Sequence, residues 1–136
     1  MLSPRKPRSR KVQKGRQRGQ VQSFQFVFGR YALQVTRAGQ ISARLLETCR
    51  RTLSRTFQRR GKIVLRVFPD IPVSKKPSEV RMGKGKGSLD HWVVNVQAGQ
   101  ILFEFDGVSE AVAAKAAEAV RHKMGLPVQF ITRSSL

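Results

Sequence analysis

Acidic residues are scarce in this chain: eight Asp and Glu stand against 27 Lys and Arg in 136 residues, a formal net charge of +19. An imbalance of that size says which partners a protein meets rather than how it folds, and it points to an anionic one. Cysteine is nearly absent as well. Cys49 alone rules out an internal disulfide and, within an apolar helical series, reads as a small core hydrophobe. His91 and His122 stand apart and no Cys/His cluster has zinc spacing, so no metal or other cofactor is expected. No apolar run approaches the length of a membrane span. The N-terminus lacks the apolar core of a secretion signal, though its acid-free, Arg- and Ser-containing composition is also that of a transit peptide.

Catalytic constellations are missing too. No Ser/His/Asp or Cys/His arrangement is visible, and Glu79, Asp90, Glu104 and Asp106 have no partner at a telling spacing. His91 is the best single acid–base residue, and a lone surface His carries no reaction by itself. The chain is therefore read as non-enzymatic.

The positive charge is unevenly spread. Through Lys86 there are 23 Lys and Arg and three acids, Glu47, Asp70 and Glu79; from Gly87 onward there are four bases and five acids. Residues 1–23 hold Arg5, Lys6, Arg8, Arg10, Lys11, Lys14, Arg16 and Arg18 with no acid, and Pro4 and Pro7 oppose helix. Such a segment buries too little surface to fold alone. Fully extended it would reach about 75 Å, at about 3.3 Å per residue. Two readings fit it, a solubilising tail and an arm that orders on a polyanion; the charge density favours the arm.

Residues 24–136 read as one domain. Phe24, Phe26 and Phe28 alternate, then Tyr31 to Val35 follow, which predicts one or two strands interrupted at Gly29. Aromatics beside bases are able to stack on nucleobases, but most of these are assigned to the core. Ile41, Leu45, Cys49, Leu53 and Phe57 recur every fourth residue and predict an amphipathic helix, with Ser42 as N-cap and Gly61 as its stop. Its other face carries Arg44, Arg50, Arg51, Arg55, Arg59 and Arg60 against Glu47 alone. Like charges four apart repel, and so many arginines exceed what the helix dipole asks for; they suit a phosphate-facing surface.

Lys62–Phe68 is a predicted strand ended by Pro69. From Pro69 to His91 the sequence reads as one long projecting loop containing Lys75 and Lys76. Trp92–Val96 and Ile101–Phe105 form a predicted hairpin about Gln97–Gln100, Ser109–Met124 a second helix with Val108, Val112, Ala116, Val120 and Met124 on one side, and Val128–Ile131 a last strand. The order gives an α+β fold: a two-layer sandwich of an antiparallel or mixed sheet with two helices on one face, plus the basic N-terminal arm and the long Gly/Lys loop.

Within that loop, Arg81-Met82-Gly83-Lys84-Gly85-Lys86-Gly87 alternates bases with glycines. Its backbone is free to turn N–H groups toward an anion while Lys84 and Lys86 supply charge. A mononucleotide P-loop requires Gly-Lys-Ser/Thr after four residues and a first Gly; here Gly87 follows Lys86. A nucleic-acid backbone, which takes many distributed cations, fits better; a solvated glycine loop is the plain alternative.

Two motifs carry a resemblance. Lys62-Ile63-Val64-Leu65-Arg66-Val67-Phe68-Pro69-Asp70-Ile71-Pro72-Val73, and Arg81 to Gly87 followed by Trp92-Val93, resemble the large-ribosomal-subunit protein "L-sixteen" family. Met1-Leu2-Ser3-Pro4, Phe28 to Leu33 and Gly107-Val108 also fit, and the likeness from Met1 implies that the arm belongs to the mature protein. Departures are Leu45, Val64, Ile71 and His91, where the family often has Gln, Trp, Lys and Tyr, with Gln13-Lys14 in the arm and Gly125-Leu126 in the last turn.

The resemblance implies a structural constituent of the large subunit that binds its rRNA, shapes the aminoacyl-tRNA site near the peptidyl-transferase centre and joins late in assembly. It implies A-site tRNA and neighbouring large-subunit proteins as partners, no membrane and no homo-oligomer, on a bacterial, plastid or mitochondrial ribosome. It marks Arg81, Met82, Gly83, Lys84, Gly85, Lys86 and Gly87 as the tRNA-site loop, and Arg50, Arg51 and Arg55 as the basic helix. A free-standing RNA- or DNA-binding protein and a small nucleotide-using enzyme are the alternatives.

Overall fold

The computed structural model describes residues 2–7, 9–13, 15–17 and 25–133. The boundary read between arm and domain, Phe24, and the bases Arg8, Lys14 and Arg18 lie outside the described residues.

Among the described residues, seven strands and two helices follow one another as β1 (Tyr31–Val35), β2 (Gly39–Ser42), α1 (Ala43–Thr56), β3 (Lys62–Leu65), β4 (Ile71–Lys75), β5 (Ser88–Val96), β6 (Ile101–Asp106), α2 (Glu110–Arg121) and β7 (Val128–Thr132). The strands form two antiparallel sheets, of order β3-β6-β1-β7 and β2-β5-β4. The α+β sandwich read from the sequence is the observed class, with its sheet divided in two.

Both helices lie against one face of the larger sheet. On α1, Leu46, Cys49 and Leu53 are buried at three- and four-residue spacing, followed by Phe57 beyond the helix end; on α2, Ala113, Ala116, Ala117 and Val120 are buried. They share one core with Leu33 and Val35 of β1 and Phe103 and Phe105 of β6. The small alanine side chains let α2 approach closely. Each fully buried large apolar side chain stabilises the fold by about 1.5–3 kcal/mol. Burial pushes the Cys49 thiol up to about 11, which suits a packing role.

Local differences from the sequence reading have physical causes. Residues 25–30 precede β1 without forming a strand, because their N–H groups turn to a side chain described below. Ile41 lies in β2, and α1 starts at Ala43, capped as expected by Ser42, whose Oγ accepts the Leu45 N–H at 3.3 Å. The helix ends at Thr56, where Phe57 drops into the core and Gln58 and Arg59 turn left-handed (φ 51° and 63°). Gly61 therefore follows a turn rather than capping the helix. Val112 is exposed on α2 rather than in the core.

The interval 69–91 is not a single irregular loop. Ile71–Lys75 pairs with Ser88–Val93, so the irregular part narrows to residues 76–87 at the tip of a β4–β5 hairpin. Pro72 is tolerated because β4 is an edge strand, where a missing N–H leaves no ladder bond broken. The predicted β5–β6 hairpin is absent: β2 and β4 occupy both flanks of β5. The turn at Gly99 instead carries the chain to the other sheet, where the Gly99 N–H donates to the Val35 carbonyl at 2.7 Å and the Val35 N–H to that of Gln100 at 2.9 Å.

Candidate nucleic-acid interface

The hairpin tip is built for exposure. Residues 77–86 are all exposed, and Gly83, Lys84 and Gly85 have positive φ (100°, 53° and 82°). Three consecutive left-handed residues give a tight turn that two glycines make affordable and Lys84 tolerates. Among the described residues, no hydrogen bond uses the N–H groups of residues 82–86. Lys76 closes the turn by donating from Nζ to the Gly83 carbonyl. Gly87 closes its base: a Cβ there would stand 2.6 Å from the carbonyl carbon and oxygen of Lys75.

The arm comes to the loop. Lys11 Nζ donates to the Lys86 carbonyl at 3.0 Å, and Lys86 Nζ donates to the Val12 carbonyl at 2.5 Å. Two like-charged segments, 74 and 75 residues apart along the chain, are thus held by ammonium–carbonyl bonds, which offset their repulsion. Val12, Gln13 and Gln17 line a groove on the outer face of the smaller sheet with Ile71, Val73, His91 and Val93. Leu2 packs against the main core and, with Arg44, Thr48 and Arg51, borders a depression on α1. Arg5, Lys6, Arg10, Lys11 and Arg16 are exposed.

On α1, Arg44, Arg50, Arg51 and Arg55 are exposed. Arg50 grips Glu47 with two bonds, Nε at 2.9 Å and Nη2 at 2.8 Å, and Arg51 Nε adds a third at 3.0 Å. Hydrogen bonding from Arg50, then Arg51, outweighs partial burial and lowers the Glu47 carboxyl to about 2. The pairing orients the two guanidinium groups without cancelling the charge of the face. Arg44 and Arg55 make no direct ion pair among the described residues. Arg59 and Arg60 lie past the helix end, so they do not share its face as the periodicity implied, and no hydrogen bond or ion pair among the described residues joins their side chains to arm or loop.

Helix and hairpin meet at Asp90. A hydrogen bond from His91 (2.8 Å, Nδ1 to Oδ2) holds the Asp90 carboxyl below its ordinary range, and the nearby charges of Lys75 and Arg44 add to it. The fold thus brings together arm, loop, the end of β4 and the start of α1.

Sequence reasoning missed two elements. Lys123, after α2, reaches α1 and donates to Thr52 Oγ1 at 2.8 Å. Arg66 and Glu104 form an ion pair on the outer face of the larger sheet. The Glu104 carboxylate also accepts the N–H groups of Val27 (3.1 Å), Phe28 (2.5 Å) and Gly29 (3.0 Å). Burial pushes the Glu104 carboxyl up, but the Phe28 and Val27 N–H groups, the Arg66 guanidinium and the Gly29 N–H together pull it below its ordinary value. The signal in the sequence was one acid inside the apolar run Ile101-Leu102-Phe103-Glu104-Phe105.

No group of acids, histidines and cysteine able to hold a metal ion occurs among the described residues, and no helix there is long and apolar enough to cross a membrane. The arrangement offers anions two things: N–H groups of an exposed glycine turn that no hydrogen bond among the described residues uses, and clustered cations. Comparison with known families finds that the model described as ribosomal protein L16p/L10e matches residues 4–131.

Proposed function

The chain belongs to the ribosomal protein L16p/L10e family, a structural constituent of the large ribosomal subunit, and from that premise we propose that it binds large-subunit rRNA through its arm, its glycine–lysine loop and the arginine face of α1. The observation that carries the reading is the joining of arm and loop at Lys11, Val12 and Lys86, which makes one continuous cationic edge on an otherwise ordinary sandwich. In this reading the phosphate contacts come from Arg5, Lys6, Arg8, Arg10, Lys11, Lys14, Arg16 and Arg18 of the arm, from Arg44, Arg50, Arg51, Arg55, Arg59 and Arg60, and from Lys75 and Lys76.

The loop from Arg81 to Gly87 lies toward the aminoacyl-tRNA site, and the protein supports late subunit assembly with no catalytic step of its own. Contacts go chiefly to RNA backbone and shape, and release of counterions supplies affinity. Its partners are rRNA, A-site tRNA and neighbouring large-subunit proteins, on a bacterial or organellar ribosome, with one copy acting alone.

Sucrose-gradient fractionation of lysate tests this. Co-sedimentation with large subunits at moderate salt, with release as salt rises, is expected; recovery of the whole pool in the light fractions at low salt overturns it.

A further inference from the structure

Among the described phenylalanines of the domain, Phe26, Phe57, Phe103 and Phe105 are at most 9% exposed, while Phe68, beyond β3, is 48% exposed. Phe28 is 54% exposed, and its neighbour Val27 57%. This exposure is held in place. The backbone beneath the ring is anchored by the three N–H bonds to Glu104, and a Cβ at Gly29 would stand 2.7 Å from the Phe105 carbonyl oxygen, so the chain lies tight against β6. The Arg66 guanidinium stands over the Phe28 ring, 5.7 Å from its centroid, and is itself fixed by Glu104 and by the Gln25 carbonyl. A flat cation on a half-open ring whose backbone is anchored is an arrangement on which a nucleobase is able to stack.

We propose that Phe28, backed by Arg66, is a stacking platform for one unpaired nucleobase of the bound RNA. The inference rests on the RNA-binding reading above and adds a contact that reads a base rather than a phosphate. Charge selects a nucleic acid over an apolar protein side chain as the occupant. Glu104 is answered by Arg66 and Asp106 by Arg30 at 2.7 Å, and a third acid, Glu110, borders Arg30 and Arg133. Lys62, opposite Asp106 in the β3–β6 ladder, and Arg133, whose N–H donates to the Arg30 carbonyl at 2.8 Å, leave the rim with surplus positive charge for the phosphates flanking a stacked base.

The test titrates full-length protein against protein-stripped large-subunit rRNA. Phe28→Leu keeps an apolar group and loses the aromatic face; Phe28→Trp keeps and widens it. Leu is expected to weaken binding about tenfold, the typical effect of losing one base–aromatic stack, while Trp binds at least as tightly as the parent. Equal binding by Leu and parent, or an equal loss in Leu and Trp, overturns the proposal, the first being what a docking site for an aliphatic protein side chain would give. Irradiation of intact large subunits at short ultraviolet wavelength supplies a readout free of variants. A nucleotide adduct on Phe28 supports the platform; adducts on arm residues with none on Phe28 overturn it. The Lys84→Ala/Lys86→Ala variant in the same titration reports on RNA binding separately, so loss of the platform alone and loss of the underlying reading give different results.

Discussion

The buried Glu104 carboxylate accepts the Phe28 N–H at 2.5 Å, joining residues 76 positions apart. With the Val27 and Gly29 N–H groups and Arg66 on the same two oxygens, one side chain replaces the strand pairing that residues 25–30 lack. Glu104→Gln keeps the shape but places an amide NH2 against N–H donors and leaves Arg66 without its counter-charge. Stability is expected to fall by about 3 kcal/mol or more, measured by urea unfolding, with residues 25–30 gaining protease sensitivity before the domain melts.

Acid should weaken the fold through the same kind of group. Glu47 has its carboxyl lowered from 4.5 to about 2 by Arg50 and Arg51. A depressed folded-state value means that its contribution is present above pH 4.5 and is lost as pH falls from about 4.5 toward about 2. Glu47 is partly solvated, so the contribution is that of a surface pair. Thermal melts of Glu47→Gln and the parent should converge at the acid end of this window and differ slightly at neutral pH.

Lys84 and Lys86 are exposed at the hairpin tip. Their replacement by Ala should leave the unfolding midpoint unchanged and weaken rRNA binding, with the slope of log K against log salt reduced by about 1.5–2. A melted domain, or an unchanged slope, would count against the loop as a phosphate contact.

Two glycines of one loop should behave differently. At Gly87 an added methyl meets Lys75 backbone at 2.6 Å, so Gly87→Ala strains the hairpin base and should lower stability by about 1–3 kcal/mol. At Gly85 the space is open but φ is 82°, so Gly85→Ala costs about 1 kcal/mol locally and reshapes the tip. The first should show in melting, the second chiefly in RNA binding and subunit maturation.

The two helices, the last strand and the exposed glycine–lysine tip were legible in the sequence because each is signalled by neighbours along the chain. The four-residue spacing of Leu45, Cys49 and Leu53 and the Ser42 cap needed no distant information, although Leu46 rather than Leu45 is the fully buried neighbour. Pro72 misled, since a proline argues against a strand unless the strand is known to be an edge. The assumed β5–β6 hairpin failed for a related reason: local turn chemistry fits a hairpin equally well when both flanks of the first strand are already occupied. Glu104 was passed over because an acid looks solvent-facing until its N–H partners, three-quarters of a hundred residues upstream, are in place.

The chain alone determined where the positive charge lies, which stretches are helical and that a glycine-rich turn separates the basic part from the neutral part, because composition and periodicity are local properties. Only the tertiary structure decided that the sheet divides in two, that Lys11 and Val12 meet Lys86, and that Phe28 stands out of the core while its backbone is clamped from within. Those are choices among hydrogen-bond partners far apart in sequence, and they are made by which groups burial leaves unsatisfied until the whole domain has closed.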